Sequence, residues 1–277
     1  MNDDAIAQRL ADLTPVAFGA VVLVMLAIEG LFPLVPLLAR RERFRHGLTN
    51  VSLAGVAAVT SVAGSVLLMV SAAWATRARL GLLNLFDTPF IVRFAVALVS
   101  IDFFEYLRHR AVHAAPLLWR LHRVHHTDAN VDATTAIRAH PLENLFTYPY
   151  FAAVIVLMGV DPLSLVLRTL ITAAALAWHH SKINLPPALE AVISLVTPTP
   201  RTHRLHHARD VRFTDSNFGT LFTWWDRALG TWHPSSRYVD GQTGLDGFDS
   251  ARAQSLWGVL RSPFDRPEAD QREEEQR

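Results

Sequence analysis

The segment from Tyr106 to His126, YLRHRAVHAAPLLWRLHRVHH, decides how this chain must fold. Residues four apart on an α-helix project from the same face, so the imidazoles of His109 and His113 can reach one ion. The H-x-x-H-H motif that follows puts three more imidazoles on one face, and HRLHH repeats the motif further along the chain. The eight histidines of these motifs, which predict a shared metal site, are His109, His113, His122, His125, His126, His203, His206 and His207.

The composition indicates a membrane protein whose metal ligands are nitrogen and oxygen atoms. Hydrophobic residues make up 51% of the 277 residues and are gathered into long blocks. The formal net charge of +1 gives no reason to expect nucleic acid or another polyanion as a partner. The chain has no cysteine, which excludes disulfides, zinc thiolate sites and iron–sulfur clusters held by its own residues.

The apolar blocks predict an all-α membrane bundle. Two blocks, 15–39 and 51–75, are long enough to span the bilayer, and a third span is predicted at 90–107 despite three charged residues. Two shorter blocks follow, at 145–160 and 163–178, and their length fits either a thin spanning pair or a re-entrant hairpin. We therefore expect three spans and a hairpin.

The distribution of arginine predicts the orientation of this bundle. Arginines follow the first span, the third span and the last histidine motif, and the positive-inside rule assigns these segments to the cytoplasm. All the histidine motifs then meet on the cytoplasmic face of the membrane, although Arg77 and Arg79 lie on the opposite side. A bacterial inner membrane fits this arrangement, and so does the endoplasmic reticulum.

The chain divides into three predicted regions. Residues 1–99 form the N-terminal transmembrane helices, 100–235 the catalytic region with the helical hairpin, and 236–277 a polar C-terminal tail. Within the catalytic region, Asn217 to Trp232 has apolar residues at helical spacing, which predicts an interfacial helix or a packed core helix. From Pro263 onwards the chain is dense in charge and is expected to be disordered.

Eight imidazoles exceed what one ion needs, so the motifs predict two metals. Imidazole suits iron, zinc and copper, and an all-histidine site of this size favours redox iron over structural zinc. Further ligands are expected from His180, at the end of the last apolar block, and from His140. His179 is a weaker candidate, since adjacent helical residues face different ways. His46 and His233 stand alone and are expected to be structural.

Carboxylates near the motifs are candidates for orienting the ligands. Asp102 lies on the same helical face as His109, where a carboxylate can accept the free N–H of a ligating imidazole, although a salt bridge would also explain it. Glu143, close to His140, is the second candidate. No catalytic side chain is predicted beyond the metal ligands. The residues that could do similar work, or cap helices, are Asp128, Asp132, Asp215 and Asp226.

These motifs resemble those of the fatty acid hydroxylase/sterol desaturase superfamily. The resemblance covers roughly residues 100–232 and includes the blocks DFFEYLRHR, LWRLHRVHHTD, TTAIRAHPLE, WHHSKINLP, TPRTHRLHH and SNFGTLFTWWDRALGT. It implies that the eight motif histidines are metal ligands and that His180 matches the histidine of the family's H-S-N block. In this chain Lys182 replaces the usual asparagine of that block.

The resemblance also implies a chemistry. It points to a non-haem di-iron oxygenase that uses O₂ to hydroxylate or desaturate a lipid such as a sterol or fatty acyl chain. No cytochrome b5-like region is visible, so we expect electrons from an external carrier of ferredoxin, rubredoxin or cytochrome type. The lipid, the choice between hydroxylation and desaturation, the electron donor and the oligomeric state stay open.

Two alternatives follow from the same histidines. A membrane metal-binding or transport protein would need a polar path through its spans, but the first two blocks offer almost no ligand beyond Glu29. An inactive family member that binds lipid is the second alternative, and the complete set of ligands disfavours it.

Overall fold

The computed structural model describes residues 3–237 and 242–265, and this part of the chain is helical. No strand forms within it, and only two isolated β-bridges occur, between Pro33 and Ile183 and between Ala208 and Thr243. Four 3₁₀ helices lie at Leu82–Leu85, Ala133–Ile137, Pro141–Glu143 and Ser235–Arg237. The α-helices are α1 (Asp3–Leu31), α2 (Arg40–Arg77), α3 (Phe90–Ala114), α4 (Pro116–His126), α5 (Asn144–Met158), α6 (Pro162–His180), α7 (Pro187–Ile193), α8 (Pro200–His206), α9 (Val211–Thr214), α10 (Trp224–Ala228) and α11 (Leu256–Arg261).

Five long helices form a bundle with the histidines at one end. Helix α2 packs along α5, α1 packs along α6, and α3 lies against both α5 and α6. The shared apolar core comes from α2, α3, α5 and α6 and the segments that join them. Its most buried members are Ala72, Ala97, Ile101, Ile155 and Val160.

A tight contact closes the end of the bundle opposite the histidines. Gly159 ends α5 in the left-handed conformation, with φ of 72°, which glycine adopts without steric cost. The side chain of Asn84 donates hydrogen bonds to the carbonyl oxygens of Leu80, at 2.6 Å, and of Gly159, at 3.3 Å. The turn between α5 and α6 is thereby joined to the segment between α2 and α3.

Four helical segments are long and apolar enough to cross a membrane. They are Ala5–Leu31, Arg40–Leu85, Pro141–Met158 and Pro162–His180. The two blocks that fitted either a spanning pair or a hairpin thus form two of these segments. Their outward side chains are apolar and exposed, as expected for contact with lipid. Examples are Leu23, Val59, Val62, Val66 and Leu157.

Helix α3, the predicted third span, is not one of the four apolar segments. Arg93, Asp102 and Glu105 give it too much charge to qualify. It nevertheless runs the length of the bundle, because Arg93 donates to the carbonyl oxygen of Leu83 at 2.7 Å at one end and His109 belongs to the histidine site at the other. The membrane crossing of α3 stays a prediction.

The predicted helix over Asn217 to Trp232 is wrong for most of its length. Only Trp224–Ala228 is α-helical. Two buried carboxylates accept the backbone N–H groups of the preceding residues, which a helix would use internally. Asp226 accepts from Phe218 and Gly219, both at 2.8 Å, and Asp102 accepts from Leu221 at 2.9 Å. Residues 218–222 therefore wrap around these side chains.

Packing continues past residue 236, where the polar tail was predicted to begin. Val259 of α11 is buried with Leu53 of α2 and Val124 of α4. Arg123 donates to the carbonyl oxygen of Asp265 at 2.6 Å, which holds the end of the described chain against α4. The remainder of the predicted disordered tail, residues 266–277, lies outside the described residues.

Replacing Gly64 by alanine is expected to weaken the bundle. A Cβ atom at this position of α2 would lie 2.2 Å from ring carbons of Tyr148 on α5, so one helix must move. We expect a loss of about 1–3 kcal/mol in the free energy of unfolding, typical of overpacking. Thermal unfolding in detergent, followed by circular dichroism, measures it.

Gly55→Ala is the matched control on the same helix. Nothing lies within 4 Å of a Cβ atom built at Gly55, so alanine should be neutral or stabilising by up to about 1 kcal/mol. Equal melting temperatures for the two variants would contradict the close packing of α2 on α5.

Candidate metal centre

The structure gathers nine histidines into two clusters at one end of the bundle. In each cluster, one ring nitrogen from every histidine lies within 4.8 Å of those of the others, close enough to share an ion. All eight motif histidines and the added candidate His180 are included. The first cluster contains His109, His113, His122, His126 and His206, and the second contains His125, His180, His203 and His207.

Helical spacing explains how each motif is divided between the clusters. His122 and His126 are four residues apart on α4 and join the first cluster, whereas His125 points to the second. In the repeat of the motif, His203 and His207 join the second cluster. Neighbouring helical residues are about 100° apart, so each H-H pair serves two ions rather than one face.

Local sequence sets the helices that carry these residues. Proline occupies the first position of α4 and of α8, where its missing N–H costs nothing. At α8 the hydroxyl of Thr199 also caps the helix by accepting from the backbone N–H of Thr202, at 3.2 Å. The short break at Ala115 turns the chain, so that His113 of α3 faces His126 of α4, with ring centroids 4.7 Å apart.

In the first cluster, four imidazoles are held by one nitrogen and present the other. The Nδ1 atoms of His109 and His206 donate to the carbonyl oxygens of Phe218, at 2.9 Å, and Ser216, at 2.8 Å. The other two Nδ1 atoms, of His113 and His122, bind carboxylates at 3.0 Å. The Nε2 atoms of all four are buried without a hydrogen-bond partner. This is the pattern of ligating histidines whose outer nitrogen fixes the tautomer.

In the second cluster, unprotonated nitrogens face each other. The Nδ1 atoms of His125 and His180 lie 3.1 and 2.7 Å from the carbonyl oxygens of Arg138 and Leu176, so each Nδ1 carries the proton. The two Nε2 atoms, which then bear lone pairs, are only 3.0 Å apart. Two nitrogens bound at right angles to one ion, at roughly 2.1 Å each, would show about this separation. The contact therefore fits a shared cation better than a hydrogen bond.

Burial keeps the imidazoles in the neutral form that binds metals. Burial lowers the pKa of His206 to about 3 and holds the pKa values of His203 and His207 well below the usual value of 6.5. Neighbouring imidazoles lower the pKa values further, because each disfavours a second positive charge. The donor set is entirely nitrogen, which is compatible with iron, zinc or copper.

The other candidate ligands lie outside the two clusters. His140, predicted as a ligand, has both ring nitrogens engaged by backbone, as Nδ1 accepts from Leu142 at 3.2 Å and Nε2 lies 3.2 Å from the carbonyl oxygen of Leu260. His179 is buried, with its ring centroid 4.1 Å from that of His203 and both nitrogens unpartnered. His46 binds Asp128 at 2.8 Å.

The two predicted orienting carboxylates have different surroundings. Glu143 accepts the Nδ1–H of His122 at 3.0 Å and a hydrogen bond from Arg108 at 3.2 Å. Asp102 instead accepts from the backbone of Leu221 and from the indole of Trp225, at 2.8 Å, and no histidine is among its hydrogen-bond donors in the described chain.

One orienting carboxylate belongs to the group left open between orienting a ligand and capping a helix. Asp215 accepts from Nδ1 of His113 at 3.0 Å, although its own side chain is exposed to solvent. The backbone carbonyls that hold the remaining imidazoles carry no signal in the sequence, because every residue offers such a group.

The fold and the site together define a helical membrane protein with a paired histidine centre compatible with metal binding. The fatty acid hydroxylase family matches residues 94–231, which include all nine clustered histidines. Through this region the chain belongs to the fatty acid hydroxylase superfamily, and it is an integral membrane protein. No solved structure matches the chain.

Three similar proteins act on lipids by name. Ornithine lipid hydroxylase OlsE of Rhizobium tropici is 28% identical over 64% of this chain and 52% of its own length. The alkylglycerol monooxygenase of Caenorhabditis elegans is 32% identical over 57% of this chain and 32% of its own length. The human alkylglycerol monooxygenase is 27% identical over 52% of this chain and 31% of its own length. The chain thus spans about half or less of the length of these relatives.

Proposed function

We propose that the two clusters hold two iron ions and that the protein uses O₂ to hydroxylate a lipid. The observation that carries this proposal is the set of inward-facing nitrogens, held from outside by carbonyls and carboxylates. Iron bound there would supply the oxidising chemistry that an unactivated C–H bond requires. All nine histidines are predicted ligands in this proposal.

The protein's own contribution is to position these groups and to keep water away. The outer hydrogen bonds fix each imidazole in one tautomer before an ion binds, which lowers the cost of assembling the site. Nearly all the clustered side chains are buried, so bulk water has little access to the centre. Phe218 covers the first cluster, with its ring centroid 5.4 Å from that of His109.

The names of the relatives favour hydroxylation over desaturation, because each is a hydroxylase or a monooxygenase. The proposed substrate class is therefore a membrane lipid with a hydrocarbon chain, and the relatives' substrates, ornithine lipid and alkylglycerol, are the first two to test. Sterols and fatty acyl chains follow from the sequence resemblance alone.

We also propose that the centre faces the cytoplasm of a bacterial inner membrane. The arginines at 40, 41, 43 and 45 start α2 at the histidine end of the bundle, in agreement with the positive-inside rule. In that orientation a soluble electron carrier of ferredoxin, rubredoxin or cytochrome type would reach the centre from the cytoplasm.

A polar path for ion transport finds little support in the spans. Glu29 of α1 is fully buried, but it accepts hydrogen bonds from Arg43, at 2.8 Å, and from the backbone of Lys182, at 2.9 Å. Its carboxylate thus joins α1 to its neighbours instead of standing free for an ion.

Isotopically labelled O₂ tests the proposed reaction. The iron-loaded protein, in lipid nanodiscs with a chemical or ferredoxin reductant, is supplied with ornithine lipid, alkylglycerol or a total bacterial lipid extract. We expect one labelled oxygen atom in a hydroxylated product, detected by mass spectrometry. Loss of two hydrogens without label would instead identify a desaturase, and no change in any lipid would contradict the proposal.

A further inference from the structure

A groove of about 700 Å³ opens beside the second cluster, between the end of α1 and the segment that follows α6. Its α1 wall is apolar and consists of Met25, Ile28 and Phe32. The groove continues onto the outer surface of α1, where Leu23 and Leu31 are exposed as expected for contact with lipid. A hydrocarbon chain can therefore enter the groove from the bilayer without leaving an apolar surface.

Two residues place the groove next to the candidate metal centre. Trp178 lines it two residues before His180, at the end of α6, and Arg201 lines it two residues before His203, in α8. A helix rises about 1.5 Å per residue, so each groove residue is ~3 Å along its helix from a second-cluster histidine. The groove therefore adjoins that cluster along two of its walls.

The rim of the groove carries a positioned positive charge. Nη2 of Arg201 donates to Oδ1 of Asn184 at 3.0 Å, and the backbone N–H of Asn184 donates to the carbonyl oxygen of Phe32 at 2.8 Å. Glu190 also interacts electrostatically with Arg201, but burial raises the pKa of Glu190, and its carboxylate already accepts a hydrogen bond from Thr199. The guanidinium is thus held at the mouth of an otherwise apolar groove.

We propose that Arg201 binds the anionic head group of a lipid whose hydrocarbon chain lies in this groove. The inference rests on the proposed function, because it names the substrate class of the same site. A guanidinium binds carboxylate and phosphate groups through paired hydrogen bonds, and apolar surroundings strengthen such contacts. The combination of one cation with hydrocarbon walls complements an anionic lipid and offers nothing specific to a neutral one.

Quenching of tryptophan fluorescence by brominated lipid tests the proposal. Dibromostearic acid and its methyl ester have the same chain and differ only in the charged head group. Each is titrated into phosphatidylcholine nanodiscs that contain the full chain, at alkaline pH, where the acid is ionised. The signal of Trp178 is isolated by subtracting that of a Trp178→Phe variant.

We expect the acid to quench Trp178 at about tenfold lower mole fraction than the ester, as one charged hydrogen-bonded contact provides. Arg201→Gln should weaken quenching by the acid about tenfold and leave the ester unchanged, whereas Arg201→Lys should lose less. Arg252→Gln, at an exposed arginine far along the chain, is the control and should behave as wild type.

Equal quenching by acid and ester in the wild-type protein would overturn the proposal, and so would an Arg201→Gln variant that keeps its preference for the acid. Circular dichroism of each variant separates loss of binding from loss of fold. Metal content measured on the same samples distinguishes the two proposals: the groove can fail while both ions bind, and acid preference can persist in a protein that binds no metal.

Discussion

Alanine at His206 or at His207 is expected to remove one metal ion from the protein and to leave the other. His206 belongs to the first cluster and His207 to the second, although the two residues are adjacent. Each substitution deletes one ligand from one cluster and leaves the facing imidazoles hydrogen-bonded through their outer nitrogens. The loss of metal affinity should exceed the roughly 10–100-fold typical of changes to outer hydrogen-bonding partners, and turnover should fall to background in both variants.

Metal analysis of the purified variants measures this directly. His140→Ala is the matched control, since His140 is a buried histidine of the same region whose two ring nitrogens are both engaged by backbone. It should keep both ions. If His140→Ala lost as much metal as His206→Ala, or if the two cluster variants kept their full metal content, the division into two sites would be wrong.

Glu143→Gln is expected to weaken metal binding about 10–100-fold without removing a ligand. The carboxylate of Glu143 accepts the Nδ1–H of His122 and thereby holds Nε2 toward the first cluster. Glutamine has nearly the same size, but its amide is uncharged and can turn its NH₂ group toward the imidazole. The orientation and the basicity of His122 would both suffer, so the first ion should be lost at lower chelator concentration.

Glu105→Gln separates this effect from the loss of an ion pair. Glu105 also pairs with Arg108, at 2.7 Å, on the same side of the bundle, but no hydrogen bond joins it to a histidine in the described chain. Titration with a chelator should give wild-type affinity for Glu105→Gln and reduced affinity for Glu143→Gln. Equal losses in the two variants would show that the charge around Arg108, rather than the contact with His122, governs the affinity.

The sequence alone was sufficient to predict which histidines meet. Ligand chemistry depends on residue identity, and helical spacing carries His109 and His113, or His122 and His126, to one face. The same spacing explains why His125 leaves that face, which the H-x-x-H-H motif taken as a single unit did not show. His180 was predicted from the resemblance and from its place at the end of an apolar block, and the structure brings it into the second cluster.

Features set by tertiary structure were harder to predict. The residues from Phe218 to Trp225 have helical periodicity, yet the buried carboxylates of Asp102 and Asp226 take their backbone N–H groups. Both carboxylates come from positions that local sequence cannot connect to this segment, since Asp102 is more than a hundred residues away. For the same reason, the expected contact between Asp102 and an imidazole gave way to contacts with backbone and indole groups.

The membrane assignment shows a similar limit. Hydropathy identifies helices by composition, so it separates the apolar segments clearly but excludes α3, whose charged residues point into the bundle. Arg93 and Asp102 are satisfied there by groups on other elements, which the hydropathy of a single segment does not reveal. The arrangement of helix ends is therefore a better guide to the course of α3 than its composition.

The number and identity of the metal ions in the wild-type protein test the central claim most directly. The chain, purified in detergent from iron-replete cells without chelator, is analysed by elemental mass spectrometry and Mössbauer spectroscopy. The account predicts about two iron ions per chain in a nitrogen-rich environment, both lost in a His125→Ala, His206→Ala double variant. No bound metal, or a single ion that the double variant retains, would contradict it.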